Sequence, residues 1–219
     1  MSQHRLNEIK DGYCLNAEDK CYFVGEYIAH AKWDASPTNQ LISNLKADLR
    51  RKPQRASYKS QAINTAAFQI ATCGLNLEAL RTACTVVPMP CSKPPGHEDY
   101  DDRMLRVVNA FGQRVGLGFD GRELLVTTAA RPAQHASGSR ATIAELVGSM
   151  TVNQLSLVKP LRSTIIVVDD VFTKGASFKA AQQIVSSLPG VEKVYGLFVA
   201  RTVWPQNNVD LSAFLNSLA

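Results

Sequence analysis

The 219-residue chain is 45% hydrophobic and 20% charged, a composition that supports a sizeable core and excludes a disordered polymer. No apolar run approaches the ~20 residues that cross a bilayer, and the opening MSQHRLNEIKDGYC lacks the apolar centre of a secretory signal. The net charge is only +5, and the five cysteines (Cys14, Cys21, Cys73, Cys84, Cys91) are odd in number and scattered, which argues against a disulfide framework and makes a reducing, cytoplasmic compartment the expectation.

Taken in chain order, CYFVGEYIAHAKW (residues 21–33) is rich in aromatic and β-branched residues and predicts a strand or hairpin arm. SPTNQLISNLKADLRR predicts a helix that opens at Pro37 and Thr38, sets Leu41, Ile42, Leu45 and Leu49 on one face, and stops before Pro53. A second helix is expected over residues 57–73, closed by Gly74. CTVVPMP (84–90) then predicts a short strand. DRMLRVVNAFGQRVG (102–116) predicts a helix with Met104, Val107, Val108 and Phe111 on one side. Next come a strand at ELLVTTAA (123–130), a helix at RATIAELVGSM (140–150) and a strand at RSTIIVVDD (162–170). A helix at 177–188, stopped by Pro189-Gly190, a strand at 193–200 and a helix at 209–218 complete the series. Strands alternating with helices of this length predict an α/β fold, a parallel twisted sheet with helices on both faces. The expected division is a basic N-terminal segment of strand and helices over 1–75 and an α/β domain over 76–219.

Two features of this pattern carry charge or chemistry. Lys46, Arg50, Arg51, Lys52, Arg55 and Lys59 crowd into KADLRRKPQRASYK; such a run serves either as a solvated face or as a contact for nucleic acid or a phosphate-bearing ligand. IIVVDDVFTKGAS (165–177) ends an apolar strand on two adjacent carboxylates and follows them with a turn of small residues. Ligands of parallel α/β sheets bind beyond the carboxyl ends of the strands, where Asp169 and Asp170 are expected. The turn Thr173, Lys174, Gly175, Ala176, Ser177 enters a helix whose first amides lack internal partners, so it suits a phosphate. The carboxylates have the wrong sign for a phosphate and suit sugar hydroxyls or a hydrated Mg²⁺.

This stretch closely resembles the PRPP-binding signature of type I phosphoribosyltransferases: a hydrophobic strand, two acidic residues, then a phosphate loop. The resemblance implies that Asp169 and Asp170 contact the ribose hydroxyls with Mg²⁺, and that Thr173 to Ser177 hold the 5′-phosphate. Lys174 stands where many members have Thr, and a cation there favours anion binding. Purine-salvage relatives carry Asp at the place of Thr173, and a hydroxyl is a poor general base, so hypoxanthine–guanine salvage is not expected. Further segments, SPTNQLISNLK, VVPMPCSK, RPAQHASGSRATIAELVGSM and LFVARTV, resemble in the same order segments of ComF-type competence-associated proteins. That likeness makes Arg131 and Gln134, with Arg140, a hood segment over the site. The four-cysteine zinc module that usually opens ComF relatives has no counterpart in Cys14 and Cys21, whose spacing is wrong for it.

Ser92 and Lys93, in PMPCSKPPGH (88–97), occupy the place where type I transferases hold pyrophosphate, and Arg103 just beyond HEDYDD is a further candidate contact. The acids of that cluster are otherwise expected to complement the dipole of the next helix. GLGFDG (116–121) fits G-x-G-x-x-G but follows a helix and precedes a strand, the reverse of a dinucleotide fold, so it is a turn. Cys91 has no identifiable His partner to make it a nucleophile. The expectation is a PRPP-dependent transferase acting on a nitrogenous base, with pyrophosphate exchange and Mg²⁺, as a homodimer of the kind related folds often form. The alternative is a non-catalytic PRPP or nucleotide sensor, or a ComF-like DNA-processing or defence accessory module.

Overall fold

The protein is described by a computed structural model over residues 4–128 and 141–205. Arg131, Gln134 and Arg140, and the helix expected over 209–218, lie outside the described residues.

Five strands make the main sheet: β1 (Asn7–Glu8), β2 (Lys20–Ile28), β3 (Cys84–Pro88), β6 (Thr164–Phe172) and β7 (Lys193–Val203), in the order β1-β2-β7-β6-β3. β2, β7, β6 and β3 run parallel, and β1 is an antiparallel edge on β2. The apolar runs that form the inner strands are buried from both sides, as a parallel sheet requires. One face carries α1 (Pro37–Leu45), α2 (Ala56–Thr72) and α4 (Arg103–Val115), whose Leu45, Ile70, Val107 and Phe111 join Val168 and Val199 of the sheet in a core. The other carries α5 (Ile143–Gly148) and α6 (Ala176–Val185), whose Leu146, Phe178 and Val185 pack with Ile165, Val167 and Phe198. The chain is thus α/β, with a mixed, mostly parallel sheet between helices. Among the described residues no helix is long and apolar enough to cross a membrane.

Several expectations are corrected. The first helix stops at Leu45, well before Pro53, because the Asp48 carboxylate accepts from the amides of Arg50 (2.9 Å) and Arg51 (3.3 Å) and holds a local turn that competes with the helix. Pro53 instead opens a 3₁₀ turn, Pro53–Arg55. A short helix α3 (Leu77–Ala83), capped by the Asn76 side chain, stands where the sequence pattern gives no element. β4 (Leu125–Thr127) does not enter the parallel sheet; it pairs antiparallel with β5 (Met150–Val152), so the helix expected over 140–150 gives way to strand at Met150. β2 pairs with β7 from Lys20↔Tyr195 to Ile28↔Val203, so residues on both sides of position 75 share one sheet and one core.

Because the four long strands are parallel, Ile28, Val203, Phe172 and Pro88 all end on one edge of the sheet. That edge carries the residues discussed next.

Candidate functional site

β6 outruns β3 at the carboxyl edge. Their pairing ends at Pro88↔Val168, and Asp169 and Asp170 follow at once. Alternation slips here: Ile166, Val168 and Val171 pack in the first core, and Ile165, Val167 and Phe172 in the second. The acidic pair sits in that discontinuity.

The two carboxylates have different surroundings. Asp170 is 4% exposed, with Oδ2 accepting from Nε and Nη2 of Arg103 (both 2.8 Å) and Oδ1 standing 3.2 Å from Lys46 Nζ. Burial alone would raise its pKa; the Lys46 and Arg103 charges outweigh burial and hold it below the usual carboxylate range. Asp169 is half-buried, and its Oδ1 accepts from the Asp170 amide (2.7 Å). Burial first, and then the charge of Asp170, push its pKa well up. Asp169 Oδ2 has no protein partner among the described residues.

Arg103 is the first residue of α4, which aims its guanidinium at the end of β6. Nη1 donates to Asp101 Oδ2 (3.0 Å), and the other carboxylate oxygen of Asp101 accepts from Lys59 Nζ (2.8 Å). Lys59, only 5% exposed, also donates to the Ala47 carbonyl (3.0 Å). A chain of alternating charges, Lys46–Asp170–Arg103–Asp101–Lys59, therefore joins the ends of α1, α2, α4 and β6. None of the acids of HEDYDD lies within the first turn of α4, but Asp102 is its N-cap residue and Asp101 Oδ1 accepts from the Arg103 amide (3.1 Å), so these two stand at its positive end as expected. Glu98 (3.0 Å) and Asp99 face the basic segment through Arg50, and Asp101 also bonds Lys59.

The turn after β6 has the expected form. Gly175 takes φ +89° at the N-cap of α6, with no side chain capping the first amides. A Cβ there would stand 3.1 Å from both Leu15 Cδ2 and Phe172 Cε2, so both conformation and space require glycine. Thr173 and Lys174 are exposed, Ala176 and Ser177 half-buried. A contact without signal in the sequence borders this turn: the Cys14 amide donates to the Lys174 carbonyl (2.9 Å), and Lys174 Nζ lies 4.9 Å from the centre of the Tyr13 ring.

Ser92 and Lys93 follow β3 on the same edge and are half-buried. Arg103, a candidate for the same anion, has its donors engaged by Asp170 and Asp101. Cys21 lies in the second core, where burial pushes its thiol up to about 12, and Cys91 offers its carbonyl to Thr127 Oγ1 (2.6 Å). Among the described residues no group of three or more His, Cys, Asp and Glu is placed to hold a metal. The sequence marks Lys46 and Lys59 only as part of a basic run and Asp101 only as part of an acidic one; that Lys46 meets Asp170 and Lys59 meets Asp101 had no signal beyond the presence of the two runs.

The carboxyl edge thus offers one open carboxylate, one neutralised carboxylate and a glycine-led turn with uncapped amides within a few residues of β6. No family model matches the chain, and no curated protein matches it.

Proposed function

We propose that the protein binds PRPP on a type I phosphoribosyltransferase-like fold and transfers the phosphoribosyl group to a nitrogenous base, releasing pyrophosphate. The observation that carries this reading is the uncapped, glycine-led turn at Thr173–Ser177, set directly behind the acidic pair at the carboxyl edge of a parallel sheet. The free amides of the turn, with the Thr173 and Ser177 hydroxyls, suit the 5′-phosphate. Asp169 Oδ2 suits a ribose hydroxyl. Asp170 keeps its charge through Arg103 and Lys46 and fixes Asp169 through its own amide. Ser92 and Lys93, following β3 on the same edge, would serve the pyrophosphate end, where Lys93 is a suitable point charge. In this reading Arg103 positions Asp170, and Arg131 and Gln134 rest on the family resemblance alone.

The donor set fits Mg²⁺ in part: one open carboxylate oxygen, with the remaining ligands drawn from water and the bound PRPP, is a usual arrangement for this ion. Magnesium would lower the negative charge that builds on the departing pyrophosphate. Because Asp169 is held toward its neutral form, metal-dependent affinity should rise with pH as that carboxyl loses its proton.

A sensor without turnover is the second reading, favoured by the commitment of Arg103 to Asp170 and Asp101, which leaves fewer cations for a leaving group. Calorimetric titration with PRPP, with and without Mg²⁺ and beside ribose 5-phosphate, tests the site. Metal-dependent binding that favours PRPP and disappears in Asp169→Asn supports it. Binding of neither ligand removes it. Pyrophosphate release on adding bases to the PRPP complex separates transferase from sensor.

A further inference from the structure

A cavity lies outside the turn and the acidic pair. It holds about 540 Å³ at the carboxyl end of β2, between the β2–α1 connection and the segment that joins α1 to α2. Tyr27 and Trp33 contribute aromatic surface to its lining, and Lys46, Arg51, Lys52 and Arg55 contribute cations. We propose that this cavity binds a nucleoside phosphate, its base against Trp33 and its phosphate among Lys52, Arg55 and Arg51.

The walls are built to hold their shape. Asn39, 1% exposed, bonds both backbone groups of Ile28: its Oδ1 accepts from the amide and its Nδ2 donates to the carbonyl, each at 2.9 Å. The same Oδ1 accepts from the Ser36 hydroxyl (2.9 Å), so the entry to α1 is tied to the end of β2. Across the cavity, buried Lys59 holds the Ala47 carbonyl, and Arg50 is fixed by Glu98 and Asp99.

The distribution of charge indicates the ligand. The acidic segment 98–101 neutralises Arg50 and Lys59, which do not line the cavity. Of those that do, Lys46 faces Asp170 and Arg51 faces Asp48 at 3.3 Å, whereas Lys52 and Arg55 have no carboxylate partner among the described residues. Unneutralised cations in a concave site concentrate an anion, and Arg binds phosphate oxygens through its planar fork. Trp33 is 55% exposed at the same cavity. An exposed indole beside cations matches a flat base joined to a phosphate, since bases stack on aromatic rings whatever their identity. A volume of about 540 Å³ is of the size that takes one small ligand.

The inference does not depend on PRPP binding. β7 separates β2 from β6, so the two strand ends stand roughly 10 Å apart at ordinary strand spacing. None of the residues 173–177 lines the cavity. Free nucleotides and the phosphorylated end of a single strand present the same chemistry.

The full chain is titrated with adenosine 5′-monophosphate, adenosine and inorganic phosphate, reading heat and the quenching of Trp33 in a Trp204→Phe background. The expected result is saturable binding of the monophosphate, tighter than that of adenosine or phosphate. Trp33→Ala should weaken it at least about fivefold and Lys52→Ala with Arg55→Ala at least about tenfold. Trp33 and Lys52 are exposed and Arg55 is half-buried, its guanidinium donating to Asn44 Oδ1, and an unchanged melting temperature verifies the fold. Thr173→Glu, which puts a carboxylate into the other anion site, should leave this binding intact. A 5′-phosphorylated decathymidylate that binds more tightly than its 5′-hydroxyl form and than the monophosphate identifies a strand end as the source; the reverse order identifies a free nucleotide. Absence of monophosphate binding, or binding lost in Thr173→Glu but kept in Trp33→Ala and Lys52→Ala/Arg55→Ala, overturns the proposal.

Discussion

On the amino side of β3, Asp120 accepts from Arg122 (2.7 and 3.0 Å) and from the Thr85 hydroxyl (2.7 Å), with Arg162 at 4.0 Å. The remaining donors of Arg122 go to the carbonyls of Ser156, Lys159 and Pro160, and those of Arg162 to Leu80, Cys84 and Gly118. On the carboxyl side, Asp170 meets Arg103 and Lys46 in much the same way, yet on that edge are an open carboxylate oxygen, an uncapped helix and cations that have no carboxylate partner among the described residues. The first cluster closes on itself and ties loops together. The second ends in groups that an incoming ligand can complete. Buried carboxylate–arginine pairs look alike as a motif; what separates structural from functional use is whether the neighbouring donors and acceptors are already matched.

The contrast can be broken most forcefully at the closed edge. Arg122→Ala strips a carboxylate and three carbonyls of their donor, so chemical denaturation should show a loss of about 3–4 kcal/mol. PRPP titration of the folded variant should be unaltered, and a changed affinity would join the two edges energetically. Asp170→Asn should lose about 2–3 kcal/mol by the same measurement, because Arg103 and Lys46 keep their charges without a counter-ion. A loss near zero would mean that water satisfies both cations and that Asp170 is as open as Asp169. Gly175→Ala forces an L residue to positive φ against Leu15 and Phe172, and should lower stability by about 1–2 kcal/mol.

Asp169→Asn should have the smallest effect, within about 1 kcal/mol of wild type and in the stabilising direction, since it removes a like charge beside Asp170. Its pH dependence sharpens the comparison. The folded pKa lies above the unfolded value, so any stability the protonated carboxyl contributes is complete below the unfolded pKa and is lost as pH rises toward the folded one. The advantage of the variant should therefore be larger at pH 8 than at pH 5 in paired denaturation curves. An equal gap at both pH values would show that Asp169 titrates as an ordinary exposed carboxylate.

Local patterns carried much of this architecture. β6, α6 and β7 follow from an apolar run, a glycine turn and a second apolar run, and the placing of Asp169 and Asp170 at a strand end follows from the same stretch. The periodic face of Met104, Val107, Val108 and Phe111 is buried as its spacing predicts. What stayed hidden depends on residues far apart in the chain. Nothing near residue 50 reveals that Arg50 meets Glu98 and Asp99, and nothing near 103 reveals that Arg103 turns to Asp170 rather than to solvent. The inequality of two adjacent aspartates is equally invisible, because it is set by Lys46 and Arg103 from other elements. The end of α1 differs from expectation for a local reason: the turn that the Asp48 carboxylate makes with the amides of Arg50 and Arg51 competes with the helix before Pro53 is reached.

The register between β2 and β7 has a consequence for how the protein is made. The partner for one edge of β2 lies within the first residues of the chain, but the other edge awaits residues 193–203. At ordinary elongation rates that interval is roughly 10–30 s. Throughout it, the segment bearing Phe23 and Val24 lacks the partner that covers this edge in the folded protein. Translation speed and chaperone supply therefore bear on the yield of this chain more than on that of a protein whose neighbouring strands are also neighbours in sequence.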